Sequence, residues 1–231
     1  MIVDTAEAQA AFEALPKIRQ IPSLSPDYAM VDSIGKSHGT TIHMLSRDAS
    51  GILIKSVHET PLPVGNGFDW ESPYNYGGDC WSGSPNPLRY SIFQKAAEDR
   101  GVVAEFRRSH PLGGAAQPTA STSFSSTRRC VVVPLVRRDP AELLTPNART
   151  MIRKARRSGV KTVWRDFNHA EFPSRYTQAM EALAAAPRYF FSPQYFAALA
   201  ALRFVRYAEA QVDGATVGSA IFLFGPDVAE Y

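Results

Sequence analysis

Apolar positions in this chain switch between a helical period and short strand-like blocks, and that switching predicts most of its elements. Ala8, Phe12 and Leu15 share one side of a helical wheel with Thr5 ahead of them as a cap, so Thr5 to Leu15 is predicted as a short helix. Thr41 to Leu45 and Ile52 to Val57 are strand-sized apolar blocks joined by the turn-forming cluster Asp48-Ala49-Ser50-Gly51. Pro61 to Pro87 is rich in Pro, Gly, Asn and aromatics and is predicted as one long shaped loop, a kind of segment that is often functional. Pro87 to Arg100 places Leu88, Ile92, Phe93 and Ala96 on one helical side and stops at Gly101. Val102 to Phe106 is predicted as a strand, Leu112 to Thr127 as a Gly/Ala/Ser/Thr-rich loop, and Cys130 to Val136 as a buried strand.

A second unit is predicted to start near Asp139. Thr145 is positioned to cap a helix that begins with Pro146 and ends before Gly159, with Ala148, Ile152 and Ala155 at core-facing spacing. A strand at Lys161 to Trp164 follows, then helices at Pro173 to Ala186 and Pro193 to Leu202, the latter opened by a Ser192 cap and an N1 proline. Phe204 to Val212 and Thr216 to Phe224 flank Asp213-Gly214, the two-residue signature of a type I′ hairpin. Strands and helices mixed in this way predict an α/β or α+β architecture.

Charge and chemistry sharpen a few places. Arg149, Arg153, Arg156 and Arg157 share the polar surface of the 146–157 helix, which is read either as a solvated basic face or as a phosphate-binding surface. Tyr74, Tyr76, Gly77 and Gly78 combine flat rings and hydroxyls with glycines that permit close backbone approach, so they are candidate substrate contacts or a tightly turned structural loop. Arg108 and His110 follow a strand end, where binding residues collect. Tyr189, Phe190, Phe191, Tyr195 and Phe196 are read as core. His38, His43, His58, His110 and His169 are scattered, no serine sits in a nucleophile elbow, and the catalytic group is left unassigned. Cys80 and Cys130 lie far apart without histidines at ligand spacing, so neither a metal site nor a disulfide framework is expected.

Several of these pieces, in this order, resemble the FemAB-like branch of the GNAT acyltransferase superfamily. Glu71 to Gly78 is similar to its PYxYGG segment, Val102 to Leu112 to its strand followed by R-x-HP, and Arg149 to Val160 to the basic helix that opens its second domain. Phe172 to Leu199 resembles the aromatic two-helix stretch that follows. The resemblance implies two tandem GNAT-like domains, 1–140 and 141–231, with the second incomplete at its C-terminal end and the helix that receives the CoA pyrophosphate beyond Tyr231. It further implies transfer of an acetyl or aminoacyl group, from acetyl-CoA or another acyl-CoA, or from an aminoacyl-tRNA, to an amine of a cell-envelope precursor. That acceptor would be a nucleotide- or lipid-linked sugar or a peptidoglycan intermediate, held by Tyr74, Tyr76, Gly77, Gly78, Arg108, His110, Arg149, Arg153 and Arg157. The expected alternative is a non-catalytic GNAT-like module that binds an anionic ligand or RNA through the 149–157 helix.

Composition narrows these readings only slightly. Among 231 residues, 25 Lys and Arg against 22 Asp and Glu give a net charge of +3, which permits an anionic partner without the continuous basic field of a nucleic-acid protein. No apolar run is long enough to cross a bilayer and the first residues lack a secretory signal, so a cytoplasmic location is expected.

Overall fold

The computed structural model describes residues 1–35, 39–83, 87–113, 130–134, 140–167 and 171–231. The chain is a mixed α/β protein built on two sheets. Strand β1 (Ile2–Val3) leads into helix α1 (Thr5–Glu13), whose cap is Asp4 rather than Thr5: the Asp4 carboxylate accepts the Glu7 N–H at 2.8 Å. Helix α2 (Pro26–Ser33) was not foreseen, although Ser25 and Pro26 carry the same cap-and-proline signal that marks Ser192-Pro193. Strands β2 (Thr40–Asp48) and β3 (Gly51–Pro61) form a long hairpin around the expected turn.

The expected long loop at 61–87 is interrupted. Strand β4 (Phe68–Glu71) and the short β5 (Asp79–Trp81) both lie antiparallel on β3, separated by residues 72–78. Helix α3 (Pro87–Asp99) then crosses over, and β6 (Val102–Phe106) returns parallel to β4. The order is β1-β2-β3-β4-β6, with β5 sharing β3. Helix α3 packs Phe93 against Ile42, Met44, Leu53, Val57 and Trp70 on one face. On the other, Ala11, Phe12 and Leu15 of α1 and its following turns cover Leu45, Ile54 and Cys80. Period-two alternation along β2 and β3 thus feeds two separate apolar layers.

The expected buried strand at 130–136 is not formed. Cys130 to Pro134 lie outside any strand and are exposed, Val131 at 91 %, and residues 135–136 fall outside the described set. Most of the 112–127 loop, His38 and His169 also fall outside it. Helix α4 (Pro146–Arg157) has the predicted punctuation: Thr145 accepts the Ala148 N–H at 3.2 Å and Gly159 takes φ +76°. It has no buried residue, however, and Ile152 is 39 % exposed, so the anticipated core-facing stripe joins no apolar cluster among the described residues. Its charge and caps specify the helix locally, without a docking partner among the described residues.

Strand β7 (Lys161–Arg165), helices α5 (Phe172–Ala182) and α6 (Pro193–Ala201), and strands β8 (Val205–Val212), β9 (Ala215–Phe224) and β10 (Ala229–Glu230) complete the described chain. They build an antiparallel sheet in the order β10-β9-β8-β7. Asp213 and Gly214 turn the hairpin with φ of 49° and 83°, as a type I′ turn requires. Phe172, Tyr195, Phe196, Leu199, Val205, Tyr207 and Leu223 form an aromatic-rich core that also takes in Tyr28 and Val31 of α2. One apolar cluster therefore joins a helix of the first sheet to the second.

Candidate functional site

Parallel neighbours send their carboxyl ends in the same direction, and in α/β sheets the space beyond those ends is where ligands bind. Beyond β4 and β6 the chain continues into the two segments singled out by the sequence. The Ser72 N–H donates to the Phe106 carbonyl at 2.9 Å, the Gly77 N–H to the Arg108 carbonyl at 2.8 Å, and the His110 N–H to the Gly77 carbonyl at 3.1 Å. The Arg108 N–H is accepted by the Ser72 hydroxyl at 3.2 Å. Gly77 is required by this crossing, since a Cβ there would lie 2.2 Å from the Ser72 Cβ. Asn75 at φ 74°, between the two tyrosines, and Gly78 at φ +147°, beyond them, shape the loop. The structure thus brings Tyr74, Tyr76, Gly77, Gly78, Arg108 and His110 together.

The tyrosines are held from several sides. The Tyr74 ring meets Phe191 edge-on at 5.0 Å, so the first-sheet loop touches the aromatic stretch preceding α6. Burial raises the Tyr74 hydroxyl above its ordinary range. The Tyr76 ring stands edge-on to His110 at 5.0 Å, and its hydroxyl lies 3.1 Å from the Cys130 sulfur. That hydrogen bond, with burial second, raises the Tyr76 hydroxyl as well. Both groups accordingly stay protonated at neutral pH.

His110 is buried and fully engaged. Its Nδ1 accepts the Leu112 N–H at 3.0 Å and its Nε2 faces the Glu230 carboxylate at 3.1 Å. Glu230 reaches in from β10 and also accepts the N–H and hydroxyl of Ser23, at 2.8 and 2.6 Å. This carboxylate was not anticipated. It couples the last described strand to the loop cluster.

A second polar group was missed altogether. Thr41, His43, Ser56 and His58 share one face of the β2–β3 hairpin, where Thr41 lies opposite His58 and His43 opposite Ser56. His58 bridges Thr41, 3.1 Å from Nδ1, and Asp32, 2.8 Å from Nε2. His43 bridges Ser56 at 2.8 Å and Thr5 at 3.2 Å. Burial, assisted by the neighbouring His58, lowers His43 to about 4. The available signal was hairpin arithmetic: folding the chain at Ala49-Ser50 pairs the two Thr/Ser residues with the two histidines.

Arg149, Arg153 and Arg157 stand apart. Among the described residues no hydrogen bond or ion pair joins them to an acid or to the loop cluster, and all three lie on the surface helix α4. On the opposite face of the first sheet, Lys55 pairs with Glu105, and Arg107 with the buried Asp79 at 3.2 Å. Among the described residues no group of three or more His, Cys, Asp or Glu side chains is arranged to hold a metal ion. No helix there is long and apolar enough to cross a membrane. No protein-family model matches the chain, and no curated protein matches it.

Proposed function

We propose that the chain is an N-acyltransferase of the FemAB-like, GNAT kind, which moves an acyl group from acetyl-CoA or another activated carrier to an amine of a cell-envelope precursor. The observation that carries this reading is the meeting of residues 73–78 with residues 108–111. These two segments, on which the family resemblance leans, are hydrogen-bonded to each other beyond the carboxyl ends of a parallel strand pair.

Acyl transfer requires attack by a neutral amine on the carrier's carbonyl, stabilisation of the resulting oxyanion, and a proton for the departing group. Gly78, with open space where a side chain would stand, lets a flat acyl group approach the backbone, and Arg108 supplies a cation beside Tyr74 and Tyr76. The tyrosine hydroxyls, held protonated, suit delivery of a proton to the departing thiolate. His43, His58 and His110 each have both ring nitrogens engaged, so none is a free acceptor for the amine's proton. The amine therefore enters neutral, the proton that its nitrogen sheds as the amide forms passes to water, and the tyrosinate left by protonating the thiolate takes a proton back from solvent.

The test is incubation with acetyl-CoA and amine acceptors of the amino-sugar and peptidoglycan-peptide classes, following thiol release and the mass of the acceptor. Acceptor-dependent release, reduced roughly tenfold or more by Tyr76→Phe, is expected of a lost general acid. Absence of transfer from every acyl donor, aminoacyl-tRNA included, would overturn the reading. The arginines of α4, which make no hydrogen bond or ion pair among the described residues, favour a second one: a non-catalytic module binding an anionic ligand or RNA, which would show salt-sensitive binding without transfer.

A further inference from the structure

A carboxylate on the inner face of a helix is costly unless charge-assisted partners surround it. Asp32 on α2 and His58 on β3 both have side chains only 3 % exposed. The same Asp32 oxygen that faces His58 Nε2 at 2.8 Å also accepts the Tyr74 N–H at 2.8 Å. His58 is held from behind by the Thr41 hydroxyl at 3.1 Å. One carboxylate therefore ties together a helix, a central strand and the first residue of the loop that carries Tyr74, Asn75, Tyr76 and Gly77.

That loop needs such a tie. Asn75 adopts the left-handed conformation at φ 74°, which persists only where the flanking residues are fixed. At the far side the fixing is done by Gly77, paired with Arg108 and His110. At the near side Ser72 is held by the Phe106 carbonyl, and the residue that directly precedes Asn75 is held through the Tyr74 amide. An apolar residue at position 32 would pack against the sheet and leave that amide unheld.

We infer that Asp32 and His58 are positioning residues for the acyl-transfer site, setting the place of loop 73–78 through the Tyr74 amide. This assignment of purpose rests on the proposed function. The anchor itself is tested without activity.

Residue-resolved amide hydrogen exchange on the full chain reads the anchor directly. Asp32→Asn should speed exchange at the Tyr74 amide roughly tenfold or more, the scale of a lost charge-assisted hydrogen bond. The Met44 and Ile54 amides within the β2–β3 ladder should keep their protection. His58→Leu should reproduce that local loss, whereas His58→Gln, which retains a donor toward Asp32, should restore Tyr74 protection. Should Asp32→Asn fail to fold, the comparison of His58→Leu with His58→Gln decides. Uniform acceleration at every amide, or equal Tyr74 exchange in the two His58 variants, would overturn the inference. Local loosening together with an absence of acyl transfer in the unaltered protein would leave the anchor standing and remove the proposed function.

Discussion

Helix α4 and the loop cluster at the ends of β4 and β6 are the two regions that the sequence singles out, and the fold treats them in opposite ways. Helix α4 has a cap, an N1 proline, a glycine stop and a cationic last turn, none of its residues is buried, and its arginines have no hydrogen-bond or ion-pair partner among the described residues. The loop cluster is composed of unassuming tyrosines and glycines, yet its backbone is cross-bonded and its histidine is buried against a carboxylate. Local signals such as caps and charge specify local structure. A site is made by long-range pairing, and pairing leaves fainter marks in the chain.

The contrast is strongest at two glycines. Gly77→Ala must displace Ser72, whose Cβ lies 2.2 Å from the new methyl, and overpacking of that severity should cost about 3 kcal/mol or more in urea unfolding. Gly159→Ala, in open space at φ +76°, should cost about 1 kcal/mol. Equal costs would mean that the loop is no more constrained than the helix end. Next in size is Glu230→Ala, which strands the Ser23 donors and His110 and should cost about 2–3 kcal/mol.

Acid should separate the regions too. His43, lowered to about 4, is protonated more readily in the unfolded chain than in the folded one. Its contribution is therefore intact above the ordinary histidine range and is lost as pH falls from about 6.5 toward 4. The loss should reach about 2 kcal/mol between pH 7 and pH 5 and should vanish in His43→Gln. Smallest in stability is Arg153→Ala, expected within about 0.5 kcal/mol of the parent. The same change should weaken binding of a phosphate-bearing acceptor such as a nucleotide-linked amino sugar roughly tenfold. Unaltered binding would make α4 a solvated face alone.

Legibility follows the same divide. The type I′ turn at Asp213-Gly214, the Ser192 cap and the bounds of α4 were readable because each is decided within a few residues, whereas the core-facing side expected of α4 was not. Strands β4 and β5 were hidden inside a Pro/Gly-rich stretch because their pairing with β3 is tertiary. The run at 130–134 resembles a buried strand by hydropathy but has no neighbour to pair with among the described residues. At the site, Tyr74, Tyr76, Arg108 and His110 were visible as motifs, whereas Asp32, His58 and Glu230 act through partners far away in the chain.

The placement of the site at the loop cluster is tested most directly by an amide-resolved NMR titration with acetyl-CoA. At about 0.5 M salt the Debye length shrinks to a few ångströms, so attraction to the exposed arginines is screened while a built site is not. Saturable shifts are expected at residues 73–78 and 108–112, with residues 149–157 unmoved. Shifts confined to 149–157 that fade with salt, or shifts nowhere, would contradict that placement.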